Sequence, residues 1–136
     1  MTIRAAQITD WLQRFREGHR DEAFFGLLEM DHAVLPELMA VFRAERDVQV
    51  RAFLVEVTWQ HRQPSAVSFL GEALLDPEPV VWKEALDGLV TLASPAALEV
   101  LRSARIRQFP DPRSAEEFRG WLEEAIAQAE ARARPS

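Results

Sequence analysis

The chain has 136 residues, enough for one domain with a core of its own and too few for two ordinary ones. Its 16 Lys and Arg against 22 Asp and Glu give a formal net charge of -6, which argues against a nucleic-acid or anionic-membrane surface as its main business. Cysteine is absent, so disulfides, thiolate metal sites and cysteine nucleophiles are excluded, and a reducing, cytoplasmic location is the expectation. The first ten residues lack the apolar core of a signal peptide. The longest apolar run, Ala23 to Leu28, is far short of the ~18 residues of a membrane span. One domain over residues 1–136, with no membrane segment, is predicted.

The periodicity is helical throughout. Ile8, Trp11, Leu12 and Phe15 recur at the spacing of one amphipathic stripe, and Gly18 offers a stop. A second helix follows from about Arg20 to Met30. Asp31 is a cap for a third, with Leu35, Leu38, Met39 and Phe42 as its stripe and Pro36 tolerable only in the first turn. Asp47 caps a fourth, carrying Val50, Leu54, Val57 and His61. Pro64 opens a fifth, with Val67, Leu70 and Leu74. Asp76-Pro-Glu-Pro79 breaks it and starts a sixth, with Val81, Ala85, Gly88, Leu89 and Leu92. Ser94-Pro95 is an N-cap followed by proline at the first helical position, opening a seventh helix that ends near Gln108. Ser114-Ala-Glu-Glu117 reads as a capping box for the last, which runs through Phe118, Trp121, Leu122, Ala125 and Ile126 and frays from Arg132. The prediction is an all-α chain of about eight helices.

The chain also repeats itself. At an offset of 31 residues Leu35, Ala66 and Ala97 align, as do Leu38, Phe69 and Val100, and Met39, Leu70 and Leu101. Val50 meets Val81, Leu54 meets Ala85, and Pro64 meets Pro95; at twice the interval Ala23, Gly26 and Leu27 meet Ala85, Gly88 and Leu89. Chance alternation of apolar residues would not hold one offset across several helices with their prolines in register. Each unit is a pair of helices that cannot bury its stripe alone, so the units must stack. The small residues Ala23, Gly26, Ala85 and Gly88 would let neighbouring helices approach closely.

The segment Asp76-Pro-Glu-Pro-Val-Val-Trp-Lys-Glu-Ala-Leu-Asp-Gly-Leu89, followed by Ser94-Pro-Ala-Ala-Leu-Glu-Val-Leu101, resembles the HEAT-repeat family, in its short-unit form found in bacterial proteins and bilin-lyase subunits. Asp47-Val-Gln-Val-Arg51 is a second, weaker instance, and Trp82 stands where the family's arginine would be. The resemblance covers about residues 20–108 and implies a two-layer, right-handed α-solenoid of antiparallel helix pairs, with capping helices at both ends. Leu38, Leu54, Leu70, Ala85, Leu89 and Leu101 are its expected core.

Little in the sequence points to chemistry. His19, His32 and His61 have no carboxylate beside them of the kind that iron-dependent hydroxylases of this fold use, so they read as helix-end or core-edge residues, and no metal or cofactor is expected. The 5 dispersed glycines make no phosphate loop, and the serines have no nucleophile-elbow context. Trp11 and Trp121 fall on the terminal stripes and are expected in the core. Trp59 belongs to a packing column with Leu28 and Val90. Trp82 aligns with the polar Arg20 and Arg51, which predicts partial exposure.

The acidic residues carry the pattern of most interest. In the second helix of each pair, which lines the inner layer of such a solenoid, Glu22 aligns with Glu84, Phe25 with Glu56 and Asp87, and Glu29 with Gln60 and Thr91. Glu116, Glu117, Glu123 and Glu124 follow in the last helix, while Arg43, Arg46, Arg102, Arg105 and Arg107 lie on the outer ones. A partner-binding strip of Glu22, Glu29, Glu56, Trp82, Glu84 and Asp87 is therefore expected on the inner face. The expected function is a non-catalytic protein-binding module, an adaptor or an inhibitor or immunity-type protein, holding a partner with a basic surface and not nucleic acid or membrane. The competing expectation, from the resemblance alone, is an accessory or lyase-like subunit that assists bilin attachment to a protein. Neither fixes an oligomeric state.

Overall fold

Proline and short polar side chains set the helix boundaries, and the apolar stripes set how the helices pack. In the computed structural model, which describes residues 2–133, the chain forms α1 (Ile3–Arg16), α2 (Arg20–Leu28), α3 (Leu35–Ala44), α4 (Val48–Gln60), α5 (Ala66–Ala73), α6 (Pro79–Leu92), α7 (Pro95–Ser103) and α8 (Pro112–Ala133). Two 3-10 turns, His32–Val34 and Ala104–Ile106, lead into α3 and out of α7. There is no strand among the described residues.

Several caps fall where the side-chain chemistry puts them. Asp47 accepts from the Val50 N–H at 3.0 Å and Ser94 from the Ala97 N–H at 3.1 Å. Gly18 takes φ +94°, the left-handed conformation that ends α1 at low cost. Other boundaries differ from the expectation. Asp31 accepts from Ala33 N–H and so caps the 3-10 turn before α3, not α3 itself. Pro64 lies in a turn, and α5 begins at Ala66. α7 stops at Ser103, earlier than Gln108. Ser114 is not the cap of α8: the helix already runs from Pro112, and Asp111 accepts from both the backbone N–H and the hydroxyl of Ser114 at 2.7 and 2.9 Å. An aspartate one residue before a proline outcompetes a serine inside the first turn. α8 continues past Arg132 to Ala133; residues 134–136 lie outside the described part.

Helices α2, α4, α6 and α8 lie side by side as one layer, and α1, α3, α5 and α7 form the other. Within a pair the helices are antiparallel, as Arg14 against Glu22 and Trp11 against Gly26 show for α1 and α2. The chain is an α-solenoid of helix pairs. All six residues expected in the core, Leu38, Leu54, Leu70, Ala85, Leu89 and Leu101, are fully buried between the layers.

One ion pair fastens successive units. Arg51 in α4 donates to the Phe42 and Glu45 carbonyls at 3.1 and 2.9 Å, pairs with buried Asp76 in the α5–α6 turn, and covers the Phe42 ring at 4.2 Å. Asp76 in turn accepts from the Glu78 N–H at 3.0 Å, holding the turn that starts α6. One unit later the roles are exchanged. Trp82 stands in place of Arg51 and Arg107 in place of Asp76. Arg107 reaches back to the Asp76 and Leu74 carbonyls and stacks on Phe109 and Phe118. Trp82 is therefore not partly exposed as its alignment with arginines suggested. It is 2% exposed, edge-on to Phe118 of α8 with ring centroids 5.0 Å apart. An aromatic has replaced a cation, and the last helix covers it.

Leu70→Ala or Leu89→Ala should cost about 2–5 kcal/mol in chemical denaturation, through lost transfer free energy and the cavity left behind. Losses below about 1 kcal/mol at both positions would contradict the packing described.

Candidate functional site

The layer of α2, α4, α6 and α8, the one expected to line the inner face, is built around a close approach of α4 and α6. Trp59 on α4 lies over Gly88 on α6; a Cβ added at Gly88 would stand 2.7 Å from the indole Cγ. A glycine is required there because no larger residue leaves room for the ring. The ring is then held by its polar edge, Nε1–H donating to Glu84 Oε1 at 2.9 Å. Gly26 does the same for Trp11 between α2 and α1. The small residues do admit close neighbours, and in both cases the neighbour is an indole.

Glu84 is thereby drawn half into the protein, and its surroundings gather charge. Burial pushes its carboxyl above the usual range; the Trp59 N–H pulls the other way, Glu56 and Asp87 push it further up, and Arg20 pulls it down. Glu56 is paired with Arg20 of α2, whose guanidinium also lies 5.8 Å from the Phe24 and Phe53 ring centroids. Asp87 is raised as well, through partial loss of solvent around an accessible carboxyl. Glu56, Glu84 and Asp87 thus form one acidic cluster across α4 and α6, with Arg20 at its α2 edge.

The rest of the expected strip lies elsewhere. Glu22 is exposed and pairs with Arg14 of α1, so it belongs to the first pair's outer seam. Glu29 is exposed at the C-terminal end of α2, beside Arg4, Gln7 and Trp11 of α1. Trp82 is buried under α8 and offers nothing to a partner in this conformation. Alignment by offset brings equivalent positions to equivalent helices, but α2 is shorter than α4 and α6 and its Glu22 and Glu29 lie against α1, so the column breaks. The outer arginines do not make a free basic rim either. Arg43 pairs with Glu72, Arg102 with Glu130 and Arg105 with Glu123, at 2.6 to 2.8 Å.

Two features were not visible in the sequence. Trp121, expected in the core, is 48% exposed and flanks a groove between α6 and α8. It sits at the edge of the α8 stripe, where Phe118, Leu122, Ala125, Ile126 and Ala129 take the buried positions. The second is a histidine pair. All three histidines lie at helix ends, His19 before α2, His32 in the first 3-10 turn and His61 after α4. His61 is buried, and its Nε2 lies 3.2 Å from the Leu27 carbonyl, so that nitrogen carries the proton. Its Nδ1 must then accept from His32 Nδ1, 3.0 Å away. No residue spacing announces a contact made through the fold. Among the described residues no group of three or more His, Cys, Asp or Glu is arranged to hold a metal ion, and no helix is long and apolar enough to cross a membrane.

Paired antiparallel helices stacked in two layers, with an inner face of polar side chains, define a repeat protein of the α-solenoid class. The family model for HEAT repeats matches residues 35–127, from the start of α3 into α8, and the chain belongs to the HEAT-repeat family. Comparison with curated proteins and with solved structures yields no match. Repeats of this family generally mediate protein–protein interaction.

The histidine pair makes stability depend on pH. Burial holds the His61 imidazole below its ordinary pKa of 6.5, against the raising effect of the Leu27 carbonyl and Asp31. The unfolded chain therefore binds the proton first, and this part of the stability, full above about pH 6.5, is lost as pH falls through the folded value. The urea midpoint should fall between pH 7.5 and 5.5, and His61→Gln should remove a measurable part of that fall; an unchanged difference would contradict the assignment.

Proposed function

We propose that the chain is a non-catalytic protein-binding module that uses its inner layer to hold a partner with a basic surface, as an adaptor or as an inhibitor or immunity-type protein. The observation that carries this reading is the clustering of Glu56, Glu84 and Asp87 on α4 and α6. Three carboxylates share one surface with a single arginine, and two of them are held above their usual pKa by partial burial. Crowding like charges costs folding stability, which a binding role accounts for and a structural role does not. A lysine- or arginine-bearing surface would complete the set, and steering by the cluster would speed association at low salt. Nucleic acid would meet the wrong sign of charge.

Glu56→Lys combined with Asp87→Lys should leave the helical circular dichroism intact, because Asp87 is exposed and Glu56 is partly so, at the α2 edge of the layer. A protein captured from the native host by the wild-type chain, once purified, should bind it less tightly as salt rises and should fail to bind the double variant. Unchanged affinity of a folded double variant would make the cluster ordinary solvated surface.

A further inference from the structure

The groove between α6 and α8 opens on the same inner layer, next to the acidic cluster, and has a volume of about 240 Å³. Trp121 and Glu124 of α8 and Asp87 of α6 are among its walls, over an apolar lining of Leu86, Val90 and Ala125. Its two carboxylates, Asp87 and Glu124, are poorly satisfied compared with the neighbouring acids. Glu56 has Arg20 and Glu84 has the Trp59 N–H, but Asp87 has no ion pair or side-chain hydrogen bond among the described residues. Glu124 receives only a long contact, 3.4 Å, from Gln128 Nε2. The chain's own cation nearby, Lys83, sits one helical turn before Asp87 and is not part of the groove wall; its Nζ lies 4.7 Å from the Trp121 ring centroid and 3.4 Å from Glu117.

We propose that this groove receives one arginine side chain of a protein partner, its guanidinium against the Trp121 indole and between the carboxylates of Asp87 and Glu124, and its methylenes on Leu86, Val90 and Ala125. The inference rests on the binding role argued above and names the chemistry of the contact. Each part of the groove selects the same group. A half-exposed indole favours a planar, weakly hydrated cation over a compact ammonium. Two carboxylates at the rim suit a fork of N–H donors. An apolar floor suits an aliphatic stem. A purely apolar side chain would strip water from Asp87 and Glu124 and return nothing. A phosphate-bearing ligand would be repelled. The size of the groove suits a single side chain, not a helix.

The test uses the full chain with ¹⁵N-labelled tryptophan and backbone, titrated at low salt with N-acetyl-arginine amide, N-acetyl-lysine amide and N-acetyl-citrulline amide. Citrulline keeps the shape and removes the charge. The arginine probe should shift the Trp121 indole N–H and the Ala125 amide saturably, with the lysine probe roughly fivefold to tenfold weaker and citrulline silent. Asp87→Asn should weaken the arginine probe about tenfold. Trp121→Leu should do the same, read at Ala125; both side chains are exposed, so neither variant threatens the fold. Arginine-induced shifts confined to Glu56 and Arg20, with Trp121 unmoved, would overturn the groove and leave the acidic face standing as a binding surface. Equal responses to arginine and citrulline, or no saturable shift with any probe, would also overturn it. The broader reading fails separately, if Glu56→Lys alone leaves capture of the native partner unchanged.

Discussion

The contact between Trp59 and Gly88 governs both the packing of the inner layer and the character of its surface. Because position 88 has no side chain, α4 and α6 come close enough for the Trp59 side chain to lie against the α6 backbone there. Because the indole must place its N–H, Glu84 is pulled down beside it. Because Glu84 is then partly buried, it feels the neighbouring charges of Glu56 and Asp87, and a region of structural packing is also a region where carboxylates gather.

Elsewhere several acidic side chains are matched by arginines as the chain folds. Exposed glutamates meet arginines between the helices of a pair or between neighbouring pairs, as Glu22 meets Arg14, Glu72 meets Arg43 and Glu123 meets Arg105. Such exposed pairs contribute little individually, and their main effect is to leave most of the outer layer without a dominant sign. Asp76 is a different case: it is buried, and it is matched by Arg51 and by the backbone it caps. Asp87 and Glu124 have no cation of their own among the described residues, and they border a groove that has the half-exposed indole of Trp121 for a wall.

Much of the architecture was legible in the sequence because it repeats. The 31-residue offset identified the helix pairs, the buried leucines and the places where small residues admit a close neighbour, and all of these depend on periodicity that one chain carries in full. The site was legible only in part. The offset grouped Glu56, Glu84 and Asp87, and in the fold α4 and α6 do bring these three carboxylates together. The same offset grouped Glu22 and Glu29 with them, and these lie apart, beside α1. Trp82 failed for a different reason: its alignment partners are arginines, and nothing in a linear comparison says that α8 will cover the position. Trp121 failed in the opposite sense, as an edge-of-stripe residue that burial statistics assign to the core. The contact of His32 with His61 joins an element before α3 to one after α4 and has no signature in spacing at all.

The most direct measurement is the footprint of a bound partner on the backbone amides, by hydrogen–deuterium exchange of the free and complexed chain. The account predicts protection concentrated on α4, α6 and the facing side of α8, around Glu56, Glu84, Asp87 and Trp121, with the outer helices unchanged. Protection centred instead on the apolar groove between α5 and α7, lined by Val67, Gly71, Leu75 and Val100, would contradict it and move the binding surface to the opposite layer.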